Sequence, residues 1–228
     1  MNVVSVILIV MFPLLGYFYY KNLSKLGKIK FYYHLIGWYW ALTAILYALN
    51  KDSNILTIEK MHAPFVVEIC MWTGIIVWLI SESLPVVLAL TSAQYRAMVK
   101  REVILNDSMP LTLSERRVFT FVALTIGICE EVMWRGWLPS LLQDFSLPLW
   151  LSFVIAGIAF GLGHFLQGLK GIMNSLIFSV VATFVFLLSG SLLIPIILHI
   201  LYDYRLVLTG VIISGKNDPQ VEAVHHKE

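Results

Sequence analysis

Long apolar runs, separated by short polar stretches, follow one another along almost the whole chain. A helix needs about 20 apolar residues to cross the hydrocarbon core of a bilayer. The apolar runs that meet this requirement cover residues 3–20, 31–49, 64–91, 113–138, 147–165, 172–188 and 192–213. The pattern therefore predicts an all-α fold, a polytopic transmembrane helical bundle of about seven spans.

Composition and charge placement support this class. Of the 228 residues, 59% are hydrophobic and 13% are charged, whereas a soluble domain has roughly 25% charged residues. Basic residues gather in 21–30 and 96–117, and the positive-inside rule places both segments in the cytoplasm. The predicted topology has the N-terminus outside and the C-terminus in the cytoplasm. The small size favours a bacterial inner (cytoplasmic) membrane, with the lipid bilayer as a partner and no nucleic acid.

Three parts are predicted along the chain. Residues 1–111 hold about three spans and a basic cytoplasmic loop, 112–213 form a four-helix core, and 214–228 are a polar tail. The tail lacks apolar periodicity and is expected to be disordered. The first run is followed by lysines instead of a small-residue cleavage site, which favours a retained span over a removable signal peptide.

Local signals refine the helix limits. Thr112 and Glu115 form a capping-box pattern, which predicts that the fourth helix begins there. Pro139 is expected to end that helix, and Pro85 to kink or break the third run because proline has no N–H to donate. Gly157 and Gly161 form a GxxxG pattern, which allows another helix to approach closely.

Three ionisable side chains lie together inside the fourth run: Glu130, Glu131 and Arg135. In a helix, Glu131 and Arg135 share a face at the i, i+4 spacing, with the acid before the base. Glu130 points about 100° away from them. Arg135 can therefore neutralise Glu131 and leave Glu130 facing a cavity as a candidate general base. A buried ion-pair network that only holds helices together is the alternative.

Further polar side chains lie in the later runs. His164 follows Phe160 by one turn, and His199 and Asp203 are four residues apart on one face. A single histidine on an apolar helix is more often a core residue than a ligand. Polar groups inside a bundle usually turn inward and meet, however. We therefore expect Glu130, His164, His199 and Asp203 to share a cavity formed by the last four helices.

Other candidates have weaker support from the sequence. Glu68 and Glu82 are intramembrane acids without a histidine or arginine at helical spacing, which favours a structural or interfacial role. Cys70 and Cys129 give neither a disulfide framework nor a zinc pattern.

Together the motifs resemble a known family. Glu-Glu-x-x-x-Arg at 130–135, Phe-x-x-x-His at 160–164 and His-x-x-x-Asp at 199–203 look like the CPBP family. This family comprises CAAX prenyl endopeptidases and bacteriocin-processing or self-immunity proteins and is also called Abi. The resemblance covers about 113–213, and it implies intramembrane proteolysis of a membrane-associated peptide or protein.

The resemblance also implies roles for individual residues. Glu130 would activate a water, and His164 would help to hold that water or share its proton. His199 would donate to the oxyanion formed when the peptide carbonyl is attacked. Asp203, where many members have asparagine, would orient His199. The supporting residues are Glu131, Arg135 and Phe160.

The sequence leaves two alternatives open, which concern the use of a metal and whether the protein is an enzyme. Glu130, His164 and His199 could hold zinc with a water position left open, but the sequence lacks the His-Glu-x-x-His helix of many zinc proteases. We favour a glutamate-activated water without an obligatory metal. The alternative to an enzyme is a non-proteolytic membrane immunity or peptide-binding protein that uses the same cavity. A transporter or haem-binding bundle is disfavoured, since it gives the glutamates no task.

Overall fold

The computed structural model describes residues 3–11, 27–50, 55–106 and 109–214, and this part of the chain is all-helical. Helical residues 3–11 are followed by α1 (Lys28–Leu49), α2 (Phe65–Thr91), α3 (Ala93–Asn106), α4 (Leu113–Glu131), α5 (Leu138–Asp144), α6 (Leu149–Gly163), α7 (Gly168–Ser189) and α8 (Leu193–Ser214). A π-helical turn, Val132–Trp137, joins α4 to α5. A 3-10 turn, Phe165–Gln167, separates α6 from α7. The all-α prediction is thus confirmed for the described residues.

Length and composition identify candidate membrane spans. Within the described ranges, three helical segments are long and apolar enough to cross a bilayer: Phe65–Thr91, Phe165–Ser189 and Leu193–Ser214. Leu149–Gly163 is apolar but shorter. The number of seven spans and their orientation stay predictions. The second half of the first predicted run, and the polar tail from 215 on, lie outside the described residues.

The motif helix α4 begins as its capping box predicts. The Thr112 hydroxyl accepts a hydrogen bond from the Glu115 N–H at 3.1 Å, and the Glu115 carboxylate accepts one from the Thr112 N–H at 3.0 Å. The predicted end at Pro139 is wrong, because the chain stays helical through the π turn and α5 to Asp144. A π turn shifts the hydrogen-bond register by one residue. Proline is then tolerated in the first turn of the next helix, where its missing N–H leaves no bond unmade.

Three other local predictions need correction. Pro85 does not break its helix, because α2 continues through it to Thr91. The polar segment after α2 contains a helix of its own, Ala93–Asn106. The helix α6 ends at Gly163, two residues before the predicted limit at 165, and His164 is its C-cap.

The motif helix α4 lies between α1 and α8. Gly127 gives α8 its close approach, since a Cβ atom at this position would lie 2.6 Å from Ile200 Cγ1 and 2.9 Å from its backbone nitrogen. The predicted GxxxG contact forms between α6 and α7, where Gly157 faces Ser179 and Gly161 faces Leu176. Glycines at these contacts let the backbones of neighbouring helices approach closely.

We expect Gly127→Ala to destabilise the protein by about 1–3 kcal/mol, because its methyl group overlaps the Ile200 backbone and must push α8 away. Gly74→Ala is the matched control, since a Cβ atom there has nothing within 4 Å. Thermal unfolding of both variants in the same detergent checks the prediction. Equal unfolding temperatures would show that α4 and α8 are not tightly packed at Gly127.

Candidate active site

The glutamate motif lies where α4 passes into the π turn, a local distortion that is frequent at functional sites. Four of the sequence-predicted site residues are buried here, with exposed fractions of 6% for Glu130, 0% for Glu131, 2% for Arg135 and 4% for His199. Charged groups at such depth are costly unless they are paired. The contacts that pair them therefore define the site.

Glu131 is the acceptor for two cationic or polar partners. Arg135 Nη1 donates to Glu131 Oε1 at 2.8 Å, as the i, i+4 spacing predicts. His199 Nδ1 lies 2.7 Å from the same oxygen, across the contact between α4 and α8. Because an ionised carboxylate only accepts hydrogen bonds, Nδ1 must carry the hydrogen. Glu131 therefore fixes the orientation of the His199 ring and leaves its Nε2 for other partners.

Glu130 faces the other nitrogen of the same ring. Its Oε2 is buried, has no hydrogen-bond partner among the described residues, and lies 3.8 Å from His199 Nε2. Its Oε1 accepts a hydrogen bond from the hydroxyl of Tyr39 on α1. One oxygen of Glu130 is thus held by the protein, and the other faces the imidazole.

Asp203 lies on the Nε2 side of His199, one turn further along α8. The Asp203 Oδ2 to His199 Nε2 distance is 3.8 Å, and the Asp203 side chain is 20% exposed. The sequence suggested that Asp203 orients His199, but Glu131 makes that hydrogen bond. The reason is the rotation of α8, which turns Nδ1 toward α4 and leaves Asp203 beside Nε2.

Phe160 occupies the space between the two histidines. Its ring centroid lies 4.8 Å from that of His164 and 6.2 Å from that of His199. The guanidinium carbon of Arg135 stands 4.5 Å above the same ring, a distance at which a cation is attracted to the π face. Phe160 thus packs against three of the predicted site residues.

His164 is held by its own helix end. Its Nδ1 lies 2.9 Å from the Phe160 carbonyl oxygen, which can only accept, so Nδ1–H donates. In the neutral ring, Nε2 is then the basic nitrogen. The structure places this histidine one aromatic ring away from His199, at the C-terminus of α6.

An aromatic wall, which the sequence did not indicate, covers the other side of His199. Phe178 on α7 lies 4.5 Å from the His199 ring and 5.0 Å from Tyr202. Tyr202 in turn stacks on Trp78 of α2 at 5.5 Å. A phenylalanine in an apolar helix carries no signal in the sequence that separates a residue of the site from one that only packs in the core.

Of the remaining candidates from the sequence, Cys129 directly precedes Glu130, and the others lie on α2, apart from the glutamate motif. Glu82 pairs with Arg205 of α8, a contact between helices that residue spacing alone could not reveal. Glu68 lies in the first turn of α2. Cys70 is exposed and Cys129 is buried, and neither forms a disulfide.

Zinc held by Glu130, His164 and His199 is the alternative to the metal-free chemistry that the sequence favours. No group of three His, Cys, Asp or Glu side chains within the ranges that the structure covers has a metal-binding arrangement. Nδ1 of His199 contacts Glu131, and Nδ1 of His164 contacts a carbonyl, so Nε2 is the ring nitrogen that each histidine has left for a ligand. That the chemistry needs no obligatory metal stays a prediction.

A cavity of about 280 Å³ lies next to the glutamate motif, on the side of Arg135. Its walls come from Arg135 and Gly136 of the π turn, from α5, and from the loop that contains Ile55 and Glu59. Backbone hydrogen bonds tie this loop to the turn between α7 and α8. Glu130 and the two histidines do not line this cavity, so the predicted active-site cavity of the last four helices stays a prediction.

Comparison with known proteins gives one match. Residues 113–205 match the family model described as type II CAAX prenyl endopeptidase Rce1-like. No curated protein and no solved structure matches the chain. The matched segment begins at the first residue of α4 and contains Glu130, His164, His199 and Asp203.

Proposed function

Since residues 113–205 belong to the Rce1-like family of type II CAAX prenyl endopeptidases, as the three motifs indicate, we propose that this integral membrane protein is an intramembrane endopeptidase. It hydrolyses a peptide bond of a membrane-associated peptide or protein. The observation that carries the proposal is the buried pair of Glu130 Oε2 and His199 Nε2, 3.8 Å apart. Each partner is oriented by another hydrogen bond, to Tyr39 and to Glu131 respectively.

Glu130 is the general base in this proposal. A water molecule beside Oε2 gives its proton to that oxygen while the water oxygen attacks the carbonyl carbon of the scissile bond. The C–O bond forms, and the carbonyl π electrons move to the oxygen, which becomes an oxyanion. A positioned general base contributes typically about 10²- to 10⁴-fold to the rate.

His199 stabilises the oxyanion. In its imidazolium form both ring nitrogens donate, Nδ1–H to Glu131 and Nε2–H to the developing oxyanion. Because the site is buried among Phe160, Phe178 and other apolar side chains, this hydrogen bond is stronger than it would be in water. Asp203, on the Nε2 side, balances part of the imidazolium charge.

Collapse of the tetrahedral intermediate completes the reaction. The oxyanion re-forms the carbonyl, the C–N bond breaks, and the proton held by Glu130 passes to the leaving amine. His164, whose Nε2 is the basic nitrogen of its neutral ring, helps to hold the attacking water. Arg135 donates to the Glu131 oxygen that accepts from His199, and so holds this acceptor in place.

The proposal is tested with purified protein in liposomes and a panel of peptides. The panel contains a prenylated C-terminal CAAX peptide, the same peptide without the prenyl group, and a transmembrane helix peptide. We expect the wild-type protein to cleave at least one of them, and mass spectrometry of the products locates the scissile bond. Binding of these peptides without cleavage of any of them would favour the peptide-binding or immunity function instead.

We expect cleavage without a bound metal. The rate should stay within about twofold of its starting value after dialysis against a strong chelator, because the proposed chemistry uses only side chains. Metal analysis of the dialysed protein supplies the control. Stoichiometric zinc, together with loss of cleavage on chelation and recovery on adding zinc, would contradict the metal-free mechanism.

A further inference from the structure

Helix α1 lies outside the segment that matches the family, yet it contacts the general base of the proposed reaction. We propose that Tyr39 is a positioning residue for peptide hydrolysis. Its hydroxyl holds Oε1 of Glu130, so that Oε2 faces His199 and the scissile carbonyl. This inference rests on the proposed function, and it adds a residue from α1 to the catalytic machinery.

The Glu130 side chain cannot fix the orientation of its own carboxylate, and another residue has to do so. The terminal torsion of a glutamate is broad and has no sharp rotamer preference. The two carboxylate oxygens turn as one rigid unit, so a hydrogen bond to Oε1 also sets the direction of Oε2. Oε2 is buried beside His199 Nε2 and has no hydrogen-bond partner among the residues that the structure describes. The Tyr39 hydroxyl therefore determines where the reactive oxygen points.

The backbone of Tyr39 is itself well anchored. The adjacent Trp40 donates from Nε1 to Thr125 Oγ1 of α4 at 3.1 Å. At the other end of the same helix pair, Lys28 Nζ lies 3.7 Å from Glu115 Oε1. Contacts on both sides of Tyr39 thus hold α1 against the motif helix. Because these contacts share the support of α1, the loss of one of them should leave Tyr39 close to its position.

If Tyr39 positions Glu130, substitutions of Tyr39 and of its neighbour Trp40 should have different effects on cleavage. If Tyr39 only helps to pack the helices, the two effects should be similar. Tyr39 and Trp40 each contribute one side-chain hydrogen bond between α1 and α4. Only the bond from Tyr39 ends on a group that takes part in the proposed chemistry. Removing either bond weakens the contact between the helices, whereas only Tyr39→Phe frees the Glu130 carboxylate to turn.

The test compares Tyr39→Phe with Trp40→Phe in the peptide-cleavage assay. We expect Tyr39→Phe to lower kcat roughly 10- to 100-fold, because a misdirected base loses its near-attack geometry. KM should stay within about twofold, since Tyr39 contributes nothing to ground-state binding. Trp40→Phe should keep kcat within about threefold of wild type. Tyr39→His retains an N–H donor on an aromatic ring and should recover part of the lost kcat.

The outcomes separate this inference from the proposed function. Equal effects of Tyr39→Phe and Trp40→Phe on kcat, or a loss that appears only in KM, would overturn the positioning role. A folded Tyr39→His variant with no more activity than Tyr39→Phe would also count against it. In each of these cases cleavage by the wild type and its loss in Glu130→Gln would leave the proposed function standing. Failure of the wild type to cleave any peptide overturns both.

Discussion

Replacing Glu130 by Gln is expected to lower kcat for peptide cleavage by about 10²- to 10⁴-fold, because the amide cannot take the proton of the attacking water. The substitution is close to isosteric. The amide oxygen still accepts the hydrogen bond from Tyr39, and loss of the buried charge removes no ion pair with Arg135, which is bonded to Glu131. The fold should therefore survive while the chemistry is lost. Initial rates of product formation measure the effect.

Two controls accompany this measurement. Glu68→Gln changes a carboxylate in the first turn of α2, outside the glutamate motif, and should leave kcat within about threefold of wild type. Thermal unfolding of Glu130→Gln, in the detergent used for the wild type, checks that the variant is folded. A folded Glu130→Gln protein that cleaves at the wild-type rate would exclude Glu130 as the base. If the variant also kept a cellular effect that needs no cleavage, the immunity function would be favoured.

Replacing Arg135 by Met is expected to destabilise the protein by about 3–5 kcal/mol, since it leaves the carboxylate of Glu131 buried without its cation. Glu131 is fully buried, and Arg135 supplies its 2.8 Å hydrogen bond. The variant also loses the contact between the guanidinium and the face of Phe160. Denaturant unfolding in a fixed detergent measures the loss.

The matched control is Arg205→Met, which breaks the ion pair between Arg205 and Glu82. Both side chains of that pair are partly exposed, 25% and 30%, so the expected loss is smaller than that of Arg135→Met. The double variant Glu131→Gln with Arg135→Met has no unpaired buried charge and should recover most of the stability. Its cleavage should stay low, because His199 then lacks an ionised acceptor. Equal losses in the two arginine variants would contradict the buried ion pair.

Several features of the fold were readable from local sequence. The helices Phe65–Thr91 and Leu193–Ser214 follow from apolar runs that are long enough to cross a bilayer. The start of α4 follows from Thr112 and Glu115, whose side chains bond to backbone groups only three residues away. The pair of Glu131 and Arg135 follows from the i, i+4 spacing within one helical segment. All of these interactions join residues that are close in sequence, and the local backbone conformation therefore makes their geometry predictable.

Other local predictions failed because the helix geometry changed. Proline ends an α-helix where its missing N–H would leave a backbone hydrogen bond unmade. Here the π turn at Val132–Trp137 places Pro139 in the first turn of a new helix, where that N–H is not needed. The fifth apolar run was expected to stay helical to 165, but α6 ends at Gly163 and His164 is its C-cap. At the end of the helix, the His164 Nδ1 contacts the backbone carbonyl of Phe160. Deviations of this kind depend on packing around the segment, and no residue pattern marks them.

Contacts between distant residues decided the arrangement of the candidate site. The motifs named Glu130 and His199, but the rotation of α8 against α4 selected Glu131 as the partner of Nδ1 and placed Asp203 on the other side of the ring. Gly127 permits that close approach. Tyr39 lies in a helix rich in aromatic residues, where its hydroxyl has no distinguishing spacing. Only the packing of α1 on α4 brings it to Glu130, because hydrogen bonds between helices depend on tertiary distance and not on sequence separation.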